Sequence, residues 1–151
     1  MLNYLAPLLL LLNGLAAGVL FGTQLGGFPY MASLPTDRYV HAHAFFGQRY
    51  DPAMPVCLAG TVVLDLTLAI GGGHGFARAL FALAGLLAAA TAAISITKNA
   101  PVNRWMRTLD PDNLPADFRS PRHEWGVWNR RRSLLTIAAL AVNCAALGFL
   151  L

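Results

Sequence analysis

Charge is what this sequence has least of. Asp, Glu, Lys and Arg make up 12% of the 151 residues, against about 25% in an average globular domain. That is too little to clothe a soluble surface, and nearly all of it is crowded into two segments. Cysteine is scarce as well. Cys57 and Cys144 both fall inside apolar runs, where they read as small buried hydrophobes, and no zinc or haem-attachment spacing occurs. A glycine-rich phosphate loop, a serine triad and a thiol pair are missing, which sets aside nucleotide hydrolysis and acyl transfer. Met1 to Tyr4 carries no Lys or Arg, so the expectation is a retained apolar segment rather than a signal peptide.

Hydrophobic residues fill the space, at 56% of the chain. They gather in four runs, Tyr4–Leu25, Val56–Ile70, Phe76–Thr97 and Leu134–Leu151. The first, at about 22 residues, makes a helix roughly 33 Å long, enough to cross a bilayer. The fold class expected is all-α: a membrane-embedded four-helix bundle, one domain over residues 1–151, with short amphipathic helices in the polar connectors 26–55 and 98–133. Gly14, Gly18 and Gly22 recur every four residues and predict a groove for a neighbouring helix. Asn13 and Gln24 lie inside the first run and need partners. Gly26 to Pro35 is expected to break the first helix. The linker Gly71 to Gly75 reads as a tight flexible turn between the second and third spans.

Net charge is +4 and the isoelectric point near 9.6. The basic residues sit beside the apolar runs, so the partners expected are anionic lipid headgroups and not nucleic acid. Ten of the eleven Lys and Arg residues lie in the two polar connectors, and only Arg78, at the very start of the third run, belongs to the connection between the second and third. The connectors are therefore expected on the cytoplasmic side of an inner (plasma) membrane, with both termini opposite.

In the first connector Thr36 reads as the cap of a helix over Asp37 to Tyr50. That helix places Tyr39, His43, Phe46 and Tyr50 on one face. His41 and His43 fall roughly 200° apart on such a helix and would not chelate one metal. His43 is a candidate general base, because imidazole titrates near neutral pH, and His41 is a weaker one. His123 and Glu124 would join them on the same side, but the spacing matches no zinc or iron pattern, and no metal ligand is assigned. Asp65 lies mid-span, where a charge costs about 2.5–3.5 kcal/mol on insertion scales, so it must face the interior and find a partner such as Asn13, Asn143 or a threonine. It is either a polar lock between helices or a buried base.

The second connector holds eight of the eleven basic residues and all three tryptophans. Pro101 reads as the end of the third span, with Asn99 and Asn103 bonding its last carbonyls or a ligand. Ser120 and Pro121 read as the start of a helix running unbroken into the fourth span, with Trp125, Trp128, Asn129 and Arg132 on one face. Trp105 is a further aromatic at this level, either an interfacial anchor or a stacking surface.

The Asn99-Ala-Pro101-Val-Asn103 element, the Asp110-Pro111 stretch, the Pro115 to Phe118 run and Trp125 ahead of Arg130 to Arg132 resemble the anthrone oxygenase-like family of small four-span membrane proteins. The His-Ala-His of the first connector is not part of that likeness. The resemblance implies oxidation of a flat, lipid-soluble polycycle by dioxygen, without an obligatory cofactor. Catalytic candidates are His43, Asp65 and His41; substrate-binding candidates are Asn99, Asn103, Trp105, Trp125, Trp128, Asn129 and Arg132. The alternatives are a non-catalytic module binding a lipid, quinone or partner subunit, including a second copy as a homo-oligomer, and a metal or haem redox protein.

Overall fold

The computed structural model describes residues 2–71 and 73–149, with side chains from Tyr4 onward. Gly72 of the expected turn and the last two residues of the expected fourth span lie outside that set. Among the described residues every regular element is helical. The first rod is α1 (Leu2–Gly22), which passes through a π-turn (Thr23–Gly27) into α2 (Phe28–Ser33). After Leu34-Pro35, α3 (Thr36–Tyr50) folds back across the end of the bundle, and α4 (Ala53–Gly71) descends from it. The third rod is α5 (Gly75–Ile94), a second π-turn (Ser95–Asn99) and α6 (Ala100–Met106). The fourth is α7 (Arg119–Gly148), 30 residues without a break. Around the bundle α1 packs on α4 and α7, and α5 packs on the same two.

Three stretches, Tyr4–Ser33, Ala53–Gly71 and Gly75–Met106, are long and apolar enough to cross a membrane. The side-chain distribution agrees with a lipid surround. Buried positions hold Ala16, Ala84, Ala88, Ala139, Thr61, Thr91 and Thr136, while Leu11, Val63, Leu66 and Leu86 point outward. A bundle in lipid gains nothing by hiding leucine; it gains by close contact and interhelical hydrogen bonds, which small and polar residues supply. This is a membrane protein.

Two of the expected helix ends prove to be continuations. The residue just before each proline, Phe28 or Ala100, sends its N–H back five residues, to the carbonyls of Thr23 and Ser95. A proline has no N–H and its ring crowds the carbonyl four residues back. Widening the preceding turn moves that carbonyl aside, so the helix runs on through Pro29 and Pro101. The caps also differ from expectation. Pro35, not Thr36, flanks α3, and α7 starts at Arg119 after Phe118; neither Thr36 nor Ser120 acts as a cap.

The glycine face of α1 is a further correction. A Cβ built on Gly14, Gly18 or Gly22 meets nothing within 4 Å, so among the described residues no helix uses that groove. Close approach happens elsewhere: a Cβ on Gly85 would sit 3.1 Å from the Asp65 Cβ, and one on Gly126 would collide with the Phe28 ring. Gly73, at φ 70°, takes the left-handed turn that other residues resist. Cys57 is buried as expected, but Cys144 is exposed on the outside of α7.

Midway along the bundle Asp65, Asn13 and Asn143 are fully buried together. The Asn143 amide donates to Asn13 Oδ1 at 3.1 Å and to Asp65 Oδ2 at 3.5 Å, and Asn13 donates to the Thr136 carbonyl at 3.4 Å. Asp65 thus has one of the partners its position demanded.

Candidate functional site

The two polar connectors meet over the mouth of the bundle. A cap cluster of Met31, Tyr39, Val40, Met106, Phe118 and Trp125 joins α2, α3, α6 and α7 there. Because Tyr39 and His43 are one helical turn apart, the face of α3 that packs on this cluster also presents His43 inward, nearly wholly buried. Beneath it lies a cavity of about 390 Å³, walled by Thr23, His43, Phe46, Tyr50, Asp51, Asn103, Trp125 and Arg132, among others. That volume falls in the usual range for small-molecule sites, roughly 300–1,000 Å³.

Asn103 is the hub. Its Oδ1 accepts from the Trp125 indole N–H at 2.7 Å and lies 3.0 Å from His43 Nε2. An indole nitrogen is a donor only, so the Asn103 oxygen must face it. His43 Nε2 therefore carries the hydrogen, and Nδ1 keeps the lone pair, 3.3 Å from the Tyr39 hydroxyl. Burial holds the His43 pKa below its ordinary 6.5, with the Asn103 bond opposing in part. The ring is neutral at neutral pH. Burial likewise pushes the Tyr39 phenol upward, so it stays protonated. His43 meets the edge of Trp125 with ring centroids 4.8 Å apart at 70°.

The Asn103 amide also donates to Asp51 Oδ1 at 3.4 Å, and Asp51 pairs with Arg107. Arg132, also on the cavity wall and 5.8 Å over the Trp125 ring, is held from both sides. It donates to Asn129 Oδ1 from Nε at 3.1 Å and Nη2 at 2.9 Å, and to Ser95 Oγ from Nη1 at 3.2 Å. Asn129 is steadied in turn by Gln24 at 3.4 Å. Both π-turns border this region: Thr23 and Gly27 line the cavity, and Ser95 anchors the guanidinium. The chamber thus offers a neutral imidazole, a carboxylate, a fixed cation and an indole ring. That set suits proton removal from a flat aromatic whose charge then spreads onto an oxygen.

The structure brings His43, Asn103, Trp125 and Arg132 to the cavity wall. Asn129 stands behind Arg132. Asn99 lies buried and donates to the Trp125 carbonyl at 3.2 Å, tying α7 to the second π-turn rather than ending a helix. Trp105 packs on Phe118, and Trp128 carries Lys98 and Arg131 on its ring; neither lines the chamber. His41 is exposed on the far side of α3, and Asp65 lies in the separate mid-bundle cluster. Asp51 and Ser95 were not foreseen, and Tyr39 was placed on the His43 face without a role. For Asp51 the available signal was its place at the end of the aromatic face of α3, opposite a connector rich in arginine.

Among the described residues no three His, Cys, Asp or Glu side chains come together as metal ligands. Neither the curated proteins nor the solved structures compared with the chain give a match. The family model for anthrone oxygenase matches residues 42–142, a stretch from just before His43, through Asn103 and Trp125, to beyond Arg132. A match over that much of the chain, covering every element that walls the cavity except α1, its π-turn and α2, places this protein in the anthrone oxygenase family.

Proposed function

We propose that the protein oxidises a flat, lipid-soluble phenolic polycycle of the anthrone type with dioxygen, in the chamber under α3. The observation that carries this is the hub at Asn103, which fixes the tautomer of a buried, neutral His43 on the same wall system as a clamped Arg132. An anthrone has a methylene between two aromatic rings, conjugated to a ketone. His43 takes one methylene proton on Nδ1, in place of the hydrogen bond that the Tyr39 hydroxyl gives that nitrogen in this structure. The electron pair delocalises onto the ketone oxygen, whose negative charge Arg132 meets. The carbanion reduces dioxygen and bonds to it, giving a peroxide at that carbon. Loss of the second C–H proton with hydroxide leaves a new ketone and water. One dioxygen is consumed per anthrone, and the products are the quinone and one water.

The ten basic residues of the two connectors favour a chamber at the cytoplasmic face of a plasma (inner) membrane, with both termini across it. Purified protein in lipid nanodiscs, given an anthrone under air, should consume oxygen well above the spontaneous rate. Equal rates with and without protein would sink the reading. A second reading, a non-catalytic module that binds a lipid or a second copy, draws on the open glycine face at Gly14, Gly18 and Gly22. Tight binding of an anthrone with no oxygen uptake would favour it.

A further inference from the structure

A second cavity of about 410 Å³ adjoins the first and shares Asp51, Met54, Asn103 and Arg132 with it. The rest of its wall has a different character. Away from the shared end it is Pro55, Leu58, Ala59, Ala92, Ile96 and Ala100, with no charged side chain. Its other polar group, Ser95, already bonds Arg132 through its hydroxyl and donates that hydroxyl's hydrogen to the Thr91 carbonyl at 2.8 Å. The cavity lies between α4 and the second π-turn. Ile96 on its rim is 69% exposed and Val56 on the neighbouring turn is 66% exposed. It therefore opens sideways, through the apolar flank of the bundle, where lipid chains lie.

A single ligand spanning both spaces would meet hydrogen-bonding groups only at the inner end and at the junction. Beyond the junction everything is hydrocarbon. We propose that the natural ligand is an aromatic phenol or ketone bearing an alkyl or prenyl arm. Its ring sits in the His43 chamber and its arm runs past Arg132, between Leu58, Ala59, Ala92 and Ile96, into the bilayer. This deepens the oxygenase reading and rests on it for the position of the ring. The arm costs little to place, since it passes from lipid into a wall as apolar as lipid. It also gives the ring a lateral route from the membrane.

The test uses the full chain in phosphatidylcholine nanodiscs and an alkylresorcinol whose decyl arm ends in a photoreactive diazirine. After illumination, insertion mapped by peptide mass spectrometry should concentrate at Leu58, Ala59, Ala92 and Ile96. Excess unlabelled anthrone, which has no arm, should suppress that labelling severalfold by occupying the chamber. A diazirine on a plain decyl chain should be indifferent to anthrone. Ala92→Trp, and separately Ala59→Trp, should each lower insertion at these sites; the wild-type map stands if either variant fails to fold. Labelling spread evenly over the outward residues Val63 and Leu86, or labelling at the four sites that anthrone does not reduce, overturns the proposal. The second result would mean that a bulk lipid chain fills the space. If anthrone suppresses labelling but no oxygen is consumed, the arm site stands and the oxygenase reading fails.

Discussion

Two polar clusters share one bundle, one at its partly exposed mouth and one wholly buried. At the mouth, His43, Asn103, Asp51 and Arg132 surround open volume. Midway down, Asn13, Asp65 and Asn143 bond mainly to one another, and none of the three lines either cavity. Both clusters are costly to desolvate and both hold helices together. Burial of a polar side chain is thus a poor marker of chemistry by itself; burial next to room for a ligand is a better one. Among the described residues Asp65 Oδ1 and Asn143 Oδ1 have no hydrogen-bond partner. Gly85, whose missing Cβ admits the Asp65 side chain, shows how tightly that level is closed.

The sharpest way to break the comparison is to alter one residue from each cluster and read turnover. His43→Ala should lower kcat by about 10²–10⁴, the usual worth of a positioned base. Asp65→Asn keeps the shape of the buried side chain and should leave kcat nearly unchanged. If the two effects are reversed, the chemistry lies midway down the bundle.

Acidity separates the clusters next. The base must be neutral, and its folded pKa lies below 6.5. The rate should hold as pH falls to 6.5 and decline only in more acid solution. Stability follows the same sign. The unfolded chain protonates this imidazole first, so stability rises with pH between the folded pKa and 6.5 and is flat above it. A thermal-melt series and a kcat profile check both halves, and His43→Asn should flatten the first.

Gly126→Ala drives a methyl into the Phe28 ring at the cap. It should cost about 1–3 kcal/mol as an overpacking substitution, seen as a lower melting temperature. The same substitution at Gly18, where nothing lies within 4 Å, should have no such effect. Smallest of all, Arg107→Ala removes a partly exposed ion pair to Asp51 and should cost about 0–1 kcal/mol in a denaturation curve.

Much of the architecture could be read in the chain. The four apolar runs follow from hydropathy, the inward face of α3 from periodicity, and the unbroken entry of α7 into the bundle from the lack of any break after Pro121. His43, Trp125 and Arg132 were legible from the helix faces they share, and Asn103 from its place beside Pro101. The glycines misled because close approach depends on the opposing side chain. Gly60, Gly85 and Gly126 sit against Leu12, Asp65 and Phe28, pairings set by tertiary packing and invisible in a repeat. The prolines misled because a proline stops a regular helix but not one whose preceding turn has widened. Asp51 escaped notice because an aspartate before a proline looks like an ordinary turn residue.

Those widened turns set a phase. A residue added to a helix turns everything after it by about 100°. Asn103 faces His43, and not the lipid, only because the turn at Ser95–Asn99 carries its surplus residue. Removing Ile96 would rotate Asn103 and Trp105 together around the rod. The bundle below would keep its packing, while the hub above would swing out of reach of both the imidazole and the indole.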